Sequence, residues 1–92
     1  MIKGFQCAET QALFETGKSK RFSRLAKVAT RKLARLDAAS TLEFLRAPPG
    51  NRLEAPGGDR KGQYSIRVND QFRLCFRWTA EGSTDVEIVD YH

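Results

Sequence analysis

Hydrophobic and polar positions change their rhythm near the middle of the chain. In "AETQALFETG" Leu13 and Phe14 stand among good helix formers and Gly17 is a natural stop, which predicts a short helix from Ala8 to Thr16. From Ser23, read as an N-cap, "SRLAKVATRKLARLDAAS" puts Leu25, Val28, Ala29, Leu33 and Leu36 on one face at helical spacing. Arg24, Lys27, Arg31 and Arg35 fall on the opposite face, so this second helix is amphipathic with a basic wet side. Ser40 followed by Glu43 has capping-box spacing for one more turn, "TLEFLRA", which Pro48, Pro49 and Gly50 must end.

Beyond the Pro-Pro-Gly the period drops to two. Tyr64, Ile66 and Val68 alternate with Ser65 and Arg67, and Phe72, Leu74, Phe76 and Trp78 alternate with Arg73, Cys75 and Arg77. The turn formers "NDQ" between these strands predict an antiparallel hairpin, "EGST" predicts a second turn, and "DVEIVDY" a third strand. A shorter strand at "NRLEA" would complete the meander, and "IKGFQC" would add an edge strand. The expected architecture is α+β, with two N-terminal helices packed on one face of a small, mainly antiparallel sheet. The aromatic row of the second strand must cover the helices, so alternation sends Arg67 and Arg73 to the other, open face.

Composition limits this picture to one domain over residues 1–92, because 92 residues with 40% hydrophobic content build a single modest core. The formal charge of +5 favours polyanionic partners, and it is concentrated. Lys18, Lys20, Arg21, Arg24, Lys27, Arg31, Lys32 and Arg35 follow one another with no acidic residue between them. Cys7 and Cys75 are far apart with no spacing for zinc or redox chemistry, and read as buried apolar thiols; no metal or cofactor is expected. The start "MIKGFQCAETQ" lacks the apolar core of a signal peptide and no run approaches the ~20 apolar residues of a membrane span, so a soluble, cytoplasmic protein is expected.

Three groups of residues then suggest chemistry. The basic stretch, above all Lys18, Lys20, Arg21, Arg24, Lys27 and Arg31, suits RNA phosphates, which need only point charges. The same face would also serve as a solubility surface or a dock for an acidic protein. Arg67 and Arg73, with Arg60 and Lys61 in the adjoining loop, form a candidate phosphate fork. The loop "PGGDRKG" lacks the spacing and following helix of a nucleotide-binding loop and reads as a glycine-rich hairpin connection. The third group is the closing "VDYH": Asp90, Tyr91 and His92, the chain's single histidine, leave the last strand together. Cleavage of RNA by its own 2′-hydroxyl needs a proton acceptor, a cation for the charged phosphorane and an acid for the leaving 5′-oxygen, but no metal. Arg73 or Arg67 has the charge and His92 or Tyr91 the proton chemistry. Spacing alone leaves a catalytic tail, a frayed end and a non-catalytic basic nucleic-acid-binding module all open.

The stretch "RLEAPGGDRKGQYSIRVNDQFRLCFRW" followed by "VEIVDYH", with the "IKGF" opening and "LFETG" in the first helix, closely resembles the HigB-type toxins of the RelE superfamily across essentially the whole chain. That resemblance implies a microbial-RNase fold and ribosome-dependent cleavage of mRNA in the A site. It further implies neutralisation by a HigA-type helix-turn-helix antitoxin, the complex acting on operator DNA through the antitoxin. By position it makes Arg73 the phosphate-binding, transition-state-stabilising group and Asp90, Tyr91 and His92 the catalytic tail. The chain departs from the pattern at Glu54, where relatives can carry a histidine, and at Gly57, where they can carry a lysine. Glu54 thereby becomes a candidate general base.

Overall fold

The computed structural model describes residues 1–47, 49–55 and 62–90. Helix α1 spans Ala8–Thr16 as its pattern predicts, and Gly17 ends it at φ 75°, donating its N–H to the Leu13 carbonyl at 2.8 Å. The basic segment folds differently from its expected single helix. Ser23–Leu25 form a 3-10 turn, and α2 spans Ala26–Ala38 with Leu25 at its N-cap position. Ser23 therefore caps nothing; the tight turn places Phe22 and Leu25 in the core before the α-helix begins. Helix α3, Leu42–Arg46, is capped by Thr41 and not by Ser40: the Thr41 hydroxyl accepts from the Phe44 N–H at 3.3 Å. Glu43, freed from a capping box, pairs with Arg46 at 3.4 Å.

Strands β1 (Tyr64–Arg67), β2 (Phe72–Thr79) and β3 (Gly82–Asp90) form an antiparallel sheet in the order β1-β2-β3. The first hairpin closes as its sequence predicts. Asn69 Oδ1 accepts from the N–H groups of Gln71 and Phe72, at 2.9 and 2.8 Å, which is the local turn chemistry that makes Asn favourable there. A register shift between Cys75 and Arg77 bends β2 against β3, and Asp85 opposite adopts φ 52°.

Two expected strands are reduced to isolated bridges. "NRLEA" touches the sheet only through Glu54 and Ser65, whose backbones exchange hydrogen bonds of 2.9 and 2.8 Å; Arg52 at φ 45° prevents an extended run. The N-terminal segment runs parallel to β3 through Ile2 with Ser83 and Phe5 with Val86. It lies so close that a Cβ on Gly82, at φ 132°, would stand 2.1 Å from the Met1 carbonyl oxygen.

The core lies between the helices and one sheet face. Leu13, Leu33, Leu36 and Leu45 are fully buried against Ile66, Leu74, Phe76 and Val86. Each such side chain contributes on the order of 1.5–3 kcal/mol through burial. Thr10 ties α1 to the sheet, its buried hydroxyl accepting from the Ile88 N–H at 3.1 Å. Cys75 is buried as expected, whereas Cys7 is only half-buried. Among the described residues no helix is long and apolar enough to cross a membrane.

Candidate active site

Alternation along β2 turns Arg73 away from its neighbour Leu74, onto the sheet face opposite the core. The register sets Arg67, Arg73 and Val89 side by side across the three strands. Both arginines were expected on an open face. Arg67 is half-buried, but Arg73 is only 8% exposed, because residues 51–55 return past β1 and bring the Arg52 carbonyl to its guanidinium.

Arg73 is held by oxygens on two segments. Its Nε donates to Ser65 Oγ at 2.8 Å, and its Nη2 donates to the carbonyls of Ser65 at 3.2 Å and Arg52 at 2.5 Å. Ser65 is itself fully buried, and its carbonyl also accepts the Glu54 N–H at 2.9 Å. The Glu54 carboxylate stands 3.6 Å from Arg73 Nη2, with its side chain 56% exposed. A cation fixed by carbonyls and a hydroxyl, beside a carboxylate open to solvent, is an arrangement that stabilises added negative charge without first having to reorganise.

The Arg52 carbonyl owes its place to the residue before it. Asn51 is fully buried; its Nδ2 donates to the Leu45 carbonyl at 3.0 Å and its Oδ1 accepts from Lys32 Nζ on α2. That anchor holds the chain through the positive-φ residue Arg52. The Lys32 ammonium is pushed below the ordinary lysine range, first by burial and then by Arg35, Arg31 and Arg67.

Asp90 closes β3 opposite Phe72, one step along the sheet from the Arg73 row, and its Oδ2 accepts from Gln71 Nε2 at 3.0 Å. The fold thus brings Glu54 and Arg73 into contact and sets Arg67 and Asp90 at the same end of the sheet. Arg67 is engaged by Asp70 in the adjoining turn. Lys18, Lys20, Arg21, Arg24, Lys27 and Arg31 are all exposed on the helical layer, with Arg21 lying 5.2 Å over the Phe22 ring. Arg60, Lys61, Tyr91 and His92 lie outside the described residues, as does Gly57. Among the described residues no group of three or more His, Cys, Asp or Glu converges as metal ligands.

Sequence reasoning missed Ser65, Arg52 and Asn51. For Ser65 a signal existed: it shares the alternation class of Arg67 on β1, and, opposite Cys75, it lies on the diagonal from Arg73 across the hairpin. The other two act through backbone and burial, which no motif announces.

Comparison with known proteins places the chain in a family. A family model described as the RelE-like toxin of type II toxin-antitoxin system HigB matches residues 3–92. The chain is 58% identical over 48 residues to "Toxin HigB-1" of Vibrio cholerae, a match covering 52% of this chain and 50% of that protein. It is 43% identical over 56 residues to an uncharacterized protein of Haemophilus influenzae, covering 61% and 55% respectively. The matched segment therefore spans about half the length of these relatives. The family match, in contrast, runs through every element from the N-terminal segment to the tail, and the chain belongs to the HigB-like toxins of the RelE family.

Proposed function

We propose that the protein is an endoribonuclease toxin that cleaves ribosome-bound mRNA in the A site and so stops translation and growth. The observation that carries this reading is the Arg73 guanidinium, fixed by Ser65 and Arg52 beside the Glu54 carboxylate, at the end of the sheet where β3 reaches Asp90. Tyr91 and His92 follow Asp90 directly in the sequence and bring the proton chemistry the reaction needs.

In the proposed reaction the substrate's own 2′-hydroxyl oxygen forms a bond to phosphorus while the bond from phosphorus to the 5′-oxygen breaks. The products are a 2′,3′-cyclic phosphate and a free 5′-hydroxyl. Glu54 or His92 takes the 2′-proton, and Tyr91 or His92 returns one to the leaving oxygen. Arg73 neutralises the doubly charged phosphorane, with Arg67 and the loop cations Arg60 and Lys61 gripping flanking phosphates. Asp90 orients the tail. The exposed cations from Lys18 to Arg31 hold RNA through its backbone charge, which makes binding salt-sensitive and indifferent to sequence. No cofactor is required by these steps. The protein would work in the cytoplasm, held in check by a HigA-type helix-turn-helix antitoxin that carries the complex to operator DNA.

Inducible expression with mapping of mRNA 5′ ends tests this. The full chain should arrest growth and create new ends within coding regions, and deletion of His92 should abolish both. Growth without new ends would instead favour a non-catalytic basic module that merely binds RNA.

A further inference from the structure

The basic helix also borders an apolar strip, which a grip on RNA phosphates does not explain. Between α2, α3 and the end of β1 lies an open groove of about 760 Å³. Its rim holds four cations, Arg31, Lys32 and Arg35 from α2 and Arg67 from β1. Its floor is apolar, formed by Val28, Phe44 and Val68. Phe44 is 40% exposed, one of two large hydrophobic side chains so exposed among the described residues. None of the ion pairs among the described residues involves Arg31, Lys32 or Arg35, and burial first, then Arg35, Arg31 and Arg67, lower the affinity of Lys32 for its proton. Arg67 is already engaged by Asp70, but Arg31, Lys32 and Arg35 still gather like charge beside an apolar strip, an arrangement that carries a standing cost in the absence of a further anion.

We infer that this groove is a docking site for an acidic amphipathic segment of a protein partner, whose apolar side chains lie on the floor while its carboxylates meet the cationic rim. Nucleic acid is the poorer fit. A ribose-phosphate chain needs charge but has nothing to place on Val28 and Val68. The aromatic ring that a base would stack on already carries the Arg35 guanidinium at 5.0 Å. An amphipathic helix matches both features, with apolar anchors every three to four residues and Asp or Glu on its flanks. On the reading above the partner is the antitoxin, and the identity of that partner rests on that reading; the groove's preference for an acidic peptide does not.

The test is titration of the isotope-labelled full chain, followed by NMR, with three probes: a 15-residue peptide with Leu on one helical face and Glu on the other, the same peptide with Lys for Glu, and a single-stranded RNA 12-mer. Two groove variants are titrated in parallel. Ala38→Glu, at the exposed last residue of α2, and Phe44→Glu place a carboxylate at the groove without emptying the core. The acidic peptide should shift the resonances of Lys32, Arg35, Phe44 and Val68, bind at least about tenfold more tightly than its Lys counterpart, and lose about tenfold or more in either variant. Equal affinity for the two peptides, shifts confined to other residues, or RNA that occupies these residues in preference to the acidic peptide would overturn the assignment. The mRNA cleavage of the two variants, read in the same preparations, should match the parent. Absence of cleavage in the parent would strike the proposed enzyme and leave the peptide result standing.

Discussion

Arg73 on β2 and Ser65 on β1 are joined by a buried hydrogen bond of 2.8 Å from Nε to Oγ, with a second from Nη2 to the Ser65 carbonyl at 3.2 Å. The pair converts a flexible arginine into a fixed charge. Both residues are buried, Ser65 completely, so the bond is shielded from water on the sheet face where an arginine would otherwise be free to wander.

Replacing Ser65 with Ala should therefore loosen the guanidinium while keeping its charge. The loss of a buried hydrogen bond to a charged group costs about 1.5–3 kcal/mol, measurable by urea denaturation. Cleavage of ribosome-bound mRNA should slow about tenfold or more, with ribosome binding little altered. Parent-like stability and rate would show that the backbone oxygens alone position Arg73.

Glu54→Ala should slow cleavage by about 10²-fold if this carboxylate takes the 2′-proton. Removing it also takes away the carboxylate 3.6 Å from Arg73, so RNA binding should tighten slightly as the rate falls. A variant that cleaves as fast as the parent removes Glu54 from the mechanism and leaves His92 as the base.

Asn51→Ala should be among the most damaging polar substitutions. It leaves the buried Leu45 carbonyl without this donor and Lys32 without this acceptor, a loss of about 1–3 kcal/mol. It also releases the Arg52 carbonyl from its strained position, so cleavage should fall more than stability predicts. Denaturation and single-turnover cleavage on the same sample separate the two effects.

Lys32 ionises below the ordinary lysine range because burial and the neighbouring Arg35, Arg31 and Arg67 disfavour its charge. Below its folded pKa both the folded and unfolded chains are charged there, and the full penalty is felt. Between the folded and unfolded values the unfolded chain binds more protons, so the contribution of Lys32 to stability rises with pH. The stability of the parent minus that of Lys32→Met should climb as pH rises towards the ordinary lysine value of about 10.4, and added salt should flatten the climb. A flat difference at low salt contradicts the assigned repulsion.

Local patterns carried much of the fold. Leu13, Phe14 and Gly17 marked α1 to its last residue, and Asn69 marked the hairpin, because both depend on neighbours in the chain. The burial of Arg73 was not legible. It arises from an approach between residues 21 positions apart, Arg52 and Arg73, and alternation reports only which face a side chain takes, not what lies over it. Ser23 and Ser40 were misread for a related reason. Each has capping chemistry, but core placement of Phe22 and Leu25 forces a 3-10 turn at the first, and Thr41 stands one residue better placed at the second. In the candidate site, charge and the family resemblance proposed Arg73, Glu54, Arg67 and Asp90. The oxygens that hold Arg73 are ordinary backbone and serine, so only the folded chain reveals them.

Single-turnover cleavage of mRNA on programmed ribosomes, comparing the parent with Arg73→Ala and Arg73→Lys, bears most directly on the proposed chemistry. The parent should cut within the A-site codon and leave a 2′,3′-cyclic phosphate. Arg73→Ala should be slower by about 10²–10³-fold, as for loss of one preorganised charge-stabilising donor. Arg73→Lys should recover only part of that, because an ammonium cannot reproduce the fork held by Ser65 and Arg52. Cleavage by Arg73→Ala at the parental rate, from a sample shown to be folded, would contradict an active site built on this arginine.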